Sequence, residues 1–285
     1  MPGPIVDTHP HIVSPDTKRY PLTPLFGIQS DWSKERTASD EQLVAEMDEA
    51  GVAKTAIVHA STCYGFDNSL VADAVAHFPQ RCTAVGSIDM LTPDAVDVAK
   101  GWITRGVTGF RIFTGGSTKS VDASTLDDAR SYPVWELCGE RGVSICVQTN
   151  ALGIPATIAL ARRFPRVPIL VDHCGRPDVS DGPPYAKAAP LMSLAAWPNV
   201  HLKLTPVVFD RLLQAKADTQ AFLAKLVADF GAARIAWGSN WPNSPGTLKD
   251  HVTEVKAALA SLSEADRDAI LGGTALRLYP ALNSK

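Results

Sequence analysis

The sequence predicts a single (β/α)₈ barrel, because eight short apolar runs alternate with helical segments along its 285 residues. The runs are mostly continuous rather than alternating in polarity, as expected for parallel strands that are covered on both faces. Strand–helix alternation of this kind builds a parallel sheet inside a layer of helices. A chain of this length with 45% hydrophobic residues can form one such barrel undivided. We therefore assign residues 1–285 to one domain.

The candidate strands are spread along the whole chain. They are Ile5–His9, Thr55–His59, Thr83–Ile88, Gly109–Phe113, Ser144–Thr149, Pro168–His173, His201–Thr205 and Arg234–Gly238. A doubly wound open sheet is the alternative arrangement of such units. No glycine-rich fingerprint follows the first run, so the barrel is favoured.

The helical segments between the runs carry their own start and stop signals. Ser39-Asp40-Glu41-Gln42 is a capping-box pattern, and the helix that it opens should end at Gly51. Proline in the first turn and glycine after the last turn are typical of helix ends. That pattern predicts helices over Pro93–Arg105, Pro133–Arg141 and Pro155–Phe164. The third of these is followed by a proline in place of the glycine.

Composition excludes several classes of protein. The net charge of −3 and the absence of charge runs give no reason to expect nucleic-acid binding. No apolar stretch approaches the roughly 18 residues of a membrane span, and no basic region with a signal-type apolar core opens the chain. The five cysteines are odd in number and show no CxxC spacing, so we expect reduced thiols in a cytoplasmic protein. The pattern does not specify an oligomeric state.

Polar side chains cluster at the carboxyl ends of the predicted strands, where barrel active sites are built. A single histidine at such a position is more often a structural hydrogen-bonding group than a catalyst. The common placement of the whole set nevertheless predicts one site, under the long loops Val13–Arg36 and Gly175–Ala189. In strand order the set is His9, His11, His59, Ser61, Arg111, Gln148, His173, Lys203 and Asn240.

Several short motifs, taken in order, resemble the amidohydrolase superfamily. They are Asp7–His11, Tyr64–Asn68, Gly109–Arg111, Asp172–Pro177, Trp237–Pro242 and Ile270–Ala275. Each motif is weak alone, but their order and spacing are specific. The resemblance covers almost the whole chain. It is to the branch that contains 2-pyrone-4,6-dicarboxylate, muconolactone and sugar-acid lactonases.

The resemblance implies hydrolytic opening of a small anionic lactone. An acid at position 240 would deprotonate water, while His9, His11 and His173 would polarise the ester carbonyl. Arg111 would bind a substrate carboxylate in a bidentate fork, because a guanidinium matches its geometry. The remaining candidates for substrate binding are Ser61, Tyr64, Asn68, Gln148, Lys203 and Arg211.

A metal is the cofactor that the resemblance raises. Arg111 and Gln148 stand where a binuclear site would need a bridging lysine or glutamate, so two ions are not expected. The three histidines could hold one zinc ion, although Asn240 would be a poor fourth ligand. The branch includes members that act without metal. We expect no obligatory cofactor, with one weakly held divalent ion as the alternative.

Asn240 departs from the family pattern, because an amide cannot accept a proton at neutral pH. The amide fits an engineered change that traps substrate, which we favour, or a natural divergence toward a non-hydrolytic role. A purely structural asparagine is the third interpretation. Two other functions stay open: a metal-dependent decarboxylase of an aromatic acid, and a non-catalytic barrel that binds a lactone or sugar acid.

Overall fold

The computed structural model describes residues 3–114, 118 and 122–283, and it confirms the predicted barrel. Eight parallel strands pair in chain order from first to last. They are β1 Ile5–Asp7, β2 Val52–Val58, β3 Cys82–Ser87, β4 Val107–Phe113, β5 Ser144–Gln148, β6 Ile169–Val171, β7 Val200–Leu204 and β8 Ile235–Trp237. Every predicted run overlaps one of these strands. Differences at the carboxyl ends arise where the backbone leaves the ladder for an apical loop.

Hydrogen bonds between β1 and β8 close the barrel. The backbone N–H and the hydroxyl of Thr8 both donate to the Trp237 carbonyl, at 3.1 and 2.7 Å. The buried Asp7 carboxylate reinforces this seam, because its Oδ1 accepts from the backbone N–H groups of His9 and Ser239. The first and last strands are thereby joined immediately below their apical loops.

The helices surround the strands, and the predicted ones are present. They are α1 Asp31–Glu35, α2 Asp40–Ala50, α3 Ser61–Tyr64, α4 Ser69–His77, α5 Ala95–Thr104, α6 Tyr132–Arg141, α7 Ile154–Arg163, α8 Ala189–Ser193, α9 Pro206–Gln214, α10 Thr219–Phe230, α11 Leu248–Ala258, α12 Glu264–Asp268 and α13 Thr274–Leu278. The capping box of α2 forms as expected. The Ser39 hydroxyl accepts from the Gln42 N–H, and the Gln42 side chain accepts from the Ser39 N–H. Gly51 then ends the helix in the left-handed conformation, with φ of 71°.

The lower half of the barrel interior is apolar. Inward residues of the strands, such as Val6 and Leu170, form one apolar cluster with Tyr279 and Leu282. A larger core, including the fully buried Trp135, fills the space between strands and helices. Polar side chains inside the barrel are therefore concentrated toward its upper end, which is where the site is found.

The described residues contain no helix that is long and apolar enough to cross a membrane. All five cysteines are buried and unpaired.

Candidate active site

A cavity at the carboxyl end of the barrel brings together most of the predicted site. Side chains from separate strands and loops line it. Those that the sequence predicted are His11, Ser61, Arg111, Gln148, His173 and Asn240. His9 lies directly beneath, with its ring centroid 5.1 Å from that of His11 and 4.8 Å from that of His173. The histidines that follow β1 and β6 therefore meet, as the strand-end rule requires.

His11 presents an unprotonated nitrogen to the cavity. Its Nδ1 lies 2.8 Å from the Val58 carbonyl oxygen, which can only accept, so Nδ1 carries the proton. Nε2 is then a hydrogen-bond acceptor. Burial, aided by the charge of Arg111, lowers the His11 pKa to about 3. His11 is thus neutral at physiological pH and can accept a hydrogen bond from water.

His173 is neutral as well, but its tautomer follows a different partner. Burial lowers its pKa to about 3. Its Nδ1 lies 2.8 Å from the hydroxyl of Thr205, which can donate or accept. When Thr205 donates, the proton of His173 sits on Nε2, and the ring becomes a hydrogen-bond donor. The two histidines can therefore take opposite roles.

A buried ion cluster lies at the base of the cavity around Asp172. The Arg111 Nε donates to Asp172 Oδ2 at 2.8 Å, and Lys203 Nζ lies 3.3 Å from Oδ1. His9 Nδ1 is 3.5 Å from the same oxygen. Burial alone would raise the pKa of Asp172, but Lys203, His9 and Arg111 hold it well below its usual range. Burial also holds the pKa of His9 well below normal, so Asp172 is the anion that balances two buried cations.

The backbone after β6 is held in an uncommon conformation. His173, Cys174 and Arg176 have φ values of 55°, 51° and 52°, in the left-handed region. Each such residue costs roughly 1–2 kcal/mol relative to the right-handed form. Strain of this kind persists where the surrounding structure enforces it, often at functional sites. The turn brings both His173 and Arg176 to the cavity wall.

Asn240 follows β8 with a positive φ of 54° and is only 2% exposed. Its Nδ2 donates to the Ser244 hydroxyl at 2.9 Å, and its Oδ1 accepts from Asn243 at 3.4 Å. The backbone that leads from β8 to Asn240 requires glycine at position 238, because a Cβ on that residue would lie 2.6 Å from the Cβ of His9. The amide is therefore closely positioned on the cavity wall.

Four of the predicted substrate-binding residues lie outside the cavity lining. The Tyr64 hydroxyl accepts from the Ser14 N–H at 2.9 Å. The Asn68 amide accepts from the Ser87 N–H and donates to its carbonyl, at 2.7 and 2.9 Å. Arg211 donates to the Pro177 carbonyl and lines a neighbouring cavity, while Lys203 belongs to the buried ion cluster.

Two charged residues gain importance that the sequence did not reveal. Arg176 lines the cavity, and among the described residues its Nε has no hydrogen-bond partner. Burial and the charges of Arg111 and Arg211 lower its pKa, while the charge of Asp172 opposes this shift. Asp172 was noted only as part of a motif, although it anchors the ion cluster. Both residues lie close to His173 in the motif Asp172–Pro177, and this proximity was the signal in the sequence that could have identified them.

The three histidines, as arranged, do not match a zinc site. Zinc–nitrogen bonds of about 2.0–2.1 Å require ligand atoms within roughly 4 Å of one another. Among the described residues, only Asp40, Glu41 and His77 place three such atoms within 4.8 Å, and that group lies at the surface. Lys203 Nζ also lies 3.4 Å from His9 Nδ1, where its charge opposes a second cation.

Comparisons with known proteins extend this picture. A family profile described as Amidohydrolase matches residues 6–281. L-fucono-1,5-lactonase of Burkholderia ambifaria is 28% identical, covering 81% of each chain. 4-Sulfomuconolactone hydrolase of Hydrogenophaga intermedia is 29% identical over 86% of this chain and 76% of its own. A 2-pyrone-4,6-dicarboxylate hydrolase of Comamonas testosteroni is 26% identical over 89% and 81%.

Solved structures share the fold. A 2-pyrone-4,6-dicarboxylic acid hydrolase, described as putative, from Pseudomonas putida matches with a TM-score of 0.78 and 23% identity, covering 98% of both chains. A zinc-bound amidohydrolase from Burkholderia multivorans matches with a TM-score of 0.78 and 22% identity over 98% and 99%. A 2,6-dihydroxybenzoate decarboxylase from Rhizobium matches at 0.68 and 18% identity over 99% and 100%.

Proposed function

The chain belongs to the amidohydrolase family, and from that premise we propose that it opens the ring of a small carboxylated lactone by hydrolysis. One observation carries the proposal: a single cavity combines the neutral acceptor His11, the potential donor His173 and Arg176, whose Nε has no hydrogen-bond partner among the described residues. Ester hydrolysis needs a group for water, a group for the carbonyl oxygen and a means of holding the substrate. The curated relatives are named for lactones, which supports this reaction class.

Arg176 is the residue to which we assign the substrate carboxylate. Arg111 already donates its Nε to Asp172, whereas the Arg176 Nε has no partner among the described residues. An incoming carboxylate would relieve the repulsion between the two guanidinium groups. It would also form the bidentate pair that arginine favours. Arg111 lines the same cavity and adds charge to the anion site.

The histidines divide the chemical work in this proposal. Water donates a hydrogen bond to His11 Nε2, and its oxygen forms a bond to the ester carbon. The oxyanion that develops accepts from His173 Nε2, a contact of a kind worth roughly 10²–10³-fold in rate. The ring C–O bond then breaks, and the leaving oxygen takes the proton that His11 accepted. His9 positions both rings from beneath.

Asn240 can orient the attacking water but cannot remove its proton. With a pKa of about 3, His11 is a weak base, so we expect slow turnover from the chain as written. We propose no obligatory metal, with one divalent ion as the alternative that the zinc-bound relative supports. We also propose a cytoplasmic location, since the cysteines are unpaired. A role in aromatic or sugar-acid breakdown would match the relatives' named substrates.

The test compares two substitutions on two substrates. Arg176→Met should raise KM for a carboxylated lactone by about 10- to 150-fold, equivalent to about 1.5–3 kcal/mol for one charge-assisted contact. It should change KM for a neutral lactone of the same ring little. Arg111→Met should impair both substrates, because it also removes a partner of Asp172.

The products decide between function classes. Hydrolysis yields a hydroxy acid, whereas release of CO₂ from an aromatic acid would identify a decarboxylase. Binding without turnover, even with aspartate at position 240, would identify a non-catalytic barrel. Equal losses on both substrates for Arg176→Met would show that Arg176 is not the carboxylate ligand.

A further inference from the structure

A second cavity adjoins the candidate active site. The two cavities share Leu25, Phe26, Arg111 and Phe113 as their common wall. The second is larger, about 340 Å³ against about 80 Å³. We call it the apolar annex, because beyond the shared wall its sides are mainly Phe66, Ile88, Met90, Leu91, Ile112 and Leu126.

The shared wall separates two different chemical environments. On the active-site side stand polar groups such as His11, His173 and Arg176. On the annex side the surface is largely hydrocarbon. Arg111 lies at the boundary, with its Nε held by Asp172. A ligand that occupies both cavities must therefore be polar at one end and apolar at the other.

Two aromatic side chains of the annex are poorly covered in the structure. Phe26 is 45% exposed and Phe66 is 37% exposed, which is unusual for residues of this size. Phe26 is also held at a positive φ of 61°, a conformation that persists where the surroundings enforce it. An apolar ligand group would remove this surface from water, which is favourable in proportion to the area covered.

We propose that the annex binds an apolar arm, alkyl or aryl, carried by the lactone ring. The inference deepens the proposed hydrolysis and rests on it for the placement of the ring. It makes amphipathic carboxylated lactones the preferred substrate class. A sugar lactone would place hydroxyl groups against hydrocarbon walls that offer few hydrogen-bond partners, at the cost of desolvating them.

The first experiment measures kcat/KM for carboxylated γ-lactones bearing methyl, propyl, pentyl or heptyl groups. Burial of one methylene contributes about 0.8 kcal/mol, so each should raise kcat/KM about fourfold until the annex is full. From methyl to pentyl, which adds four methylenes, the gain is about 250-fold. A flat or falling dependence on chain length would overturn the proposal.

A variant pair locates the effect. Leu91→Trp narrows the annex from a half-buried position on its wall, and it should flatten the dependence on chain length. Leu213→Trp is the matched control, because Leu213 is 77% exposed and lines neither cavity. The control should keep the dependence of the parent. Phe66→Ser, which removes one wall without adding bulk, should weaken the dependence if Leu91→Trp does not fold.

Calorimetry separates failure of this proposal from failure of the hydrolysis. The probes are cyclopentanone carboxylates with the same alkyl groups, which cannot be hydrolysed. If no lactone is turned over but affinity still rises with chain length, the proposed role of the annex is supported and the proposed hydrolysis is wrong. An affinity that does not depend on chain length in the parent protein would overturn the annex proposal. An affinity that rises as steeply with chain length in Leu91→Trp as in the parent would overturn it as well.

Discussion

Asn240→Asp is the substitution that probes the site most directly. The two side chains have the same shape, and the contacts of position 240 can survive the change. The Ser244 hydroxyl, now an acceptor at 2.9 Å, can rotate to donate to a carboxylate. Asn243 can continue to donate to the other oxygen. Asparagine and aspartate both tolerate the positive φ of 54° found here.

The expected gain follows from adding a base where none of sufficient strength exists. General-base assistance is worth roughly 10²–10⁴-fold, or about 2.7–5.4 kcal/mol of activation free energy. Arg111 and Arg176 line the same cavity, and their charges favour the ionised carboxylate. We therefore expect kcat to rise by that factor with little change in KM, because ground-state contacts are kept. The rate should increase with pH as the carboxylate ionises.

The assay follows acid release from a carboxylated lactone, using metal-free and zinc-supplemented protein. Asn243→Asp is the control. Asn243 lines the same cavity, so this substitution adds the same charge at a different point. A gain in Asn240→Asp alone supports a positioned base and fits the interpretation that Asn240 replaces a general-base carboxylate. Unchanged or lower activity would refute position 240 as the place for a general base and would leave His11 as the acceptor of the water proton. A gain that requires zinc would make the new carboxylate a metal ligand.

Two further predictions concern stability. Asp172→Asn should lower the free energy of unfolding by about 3–5 kcal/mol in denaturant titrations, because it leaves buried cations without their anion. Asp97→Asn, at the exposed pair with Lys100, should cost under about 1 kcal/mol. The second prediction concerns a pH series. The buried histidines bind protons more weakly in the folded protein than in the unfolded one, because folding lowers the pKa values of His11 and His173 from 6.5 to about 3. Stability should thus be full above pH 6.5 and fall toward pH 3, by about 1.4 kcal/mol per unit for each histidine. A flat profile between pH 7 and 5 would contradict the pKa assignments.

The barrel was predictable because its signals are local. Continuous apolar runs mark strands that are covered on both faces, and Ser39 with Gln42 marks a helix start within four residues. The strand-end rule then grouped His11, His173 and Asn240 without any knowledge of contacts. Each of these inferences depends on positions along the chain, and the fold converts them into proximity.

The contacts of several predicted site residues depend on hydrogen bonds that a sequence does not reveal. Tyr64 and Asn68 carry suitable groups, but backbone partners already occupy them. Lys203 turns inward to Asp172 rather than toward the cavity. Arg176 enters the cavity only because the backbone after β6 adopts left-handed φ values, which a run of mostly non-glycine residues does not predict.

The seam between β1 and β8 also sets when the site can exist. The Thr8 bonds to Trp237 and the Asp7 bond to Ser239 join residues more than 220 positions apart. During synthesis, His9 and His11 emerge long before Asn240. A growing chain can fold its early strand–helix units, but it has no complete cavity until the last strand docks. The complete cavity therefore forms only when β8 docks, so a polypeptide that stops short of β8 would lack both Asn240 and the hydrogen bonds that close the barrel.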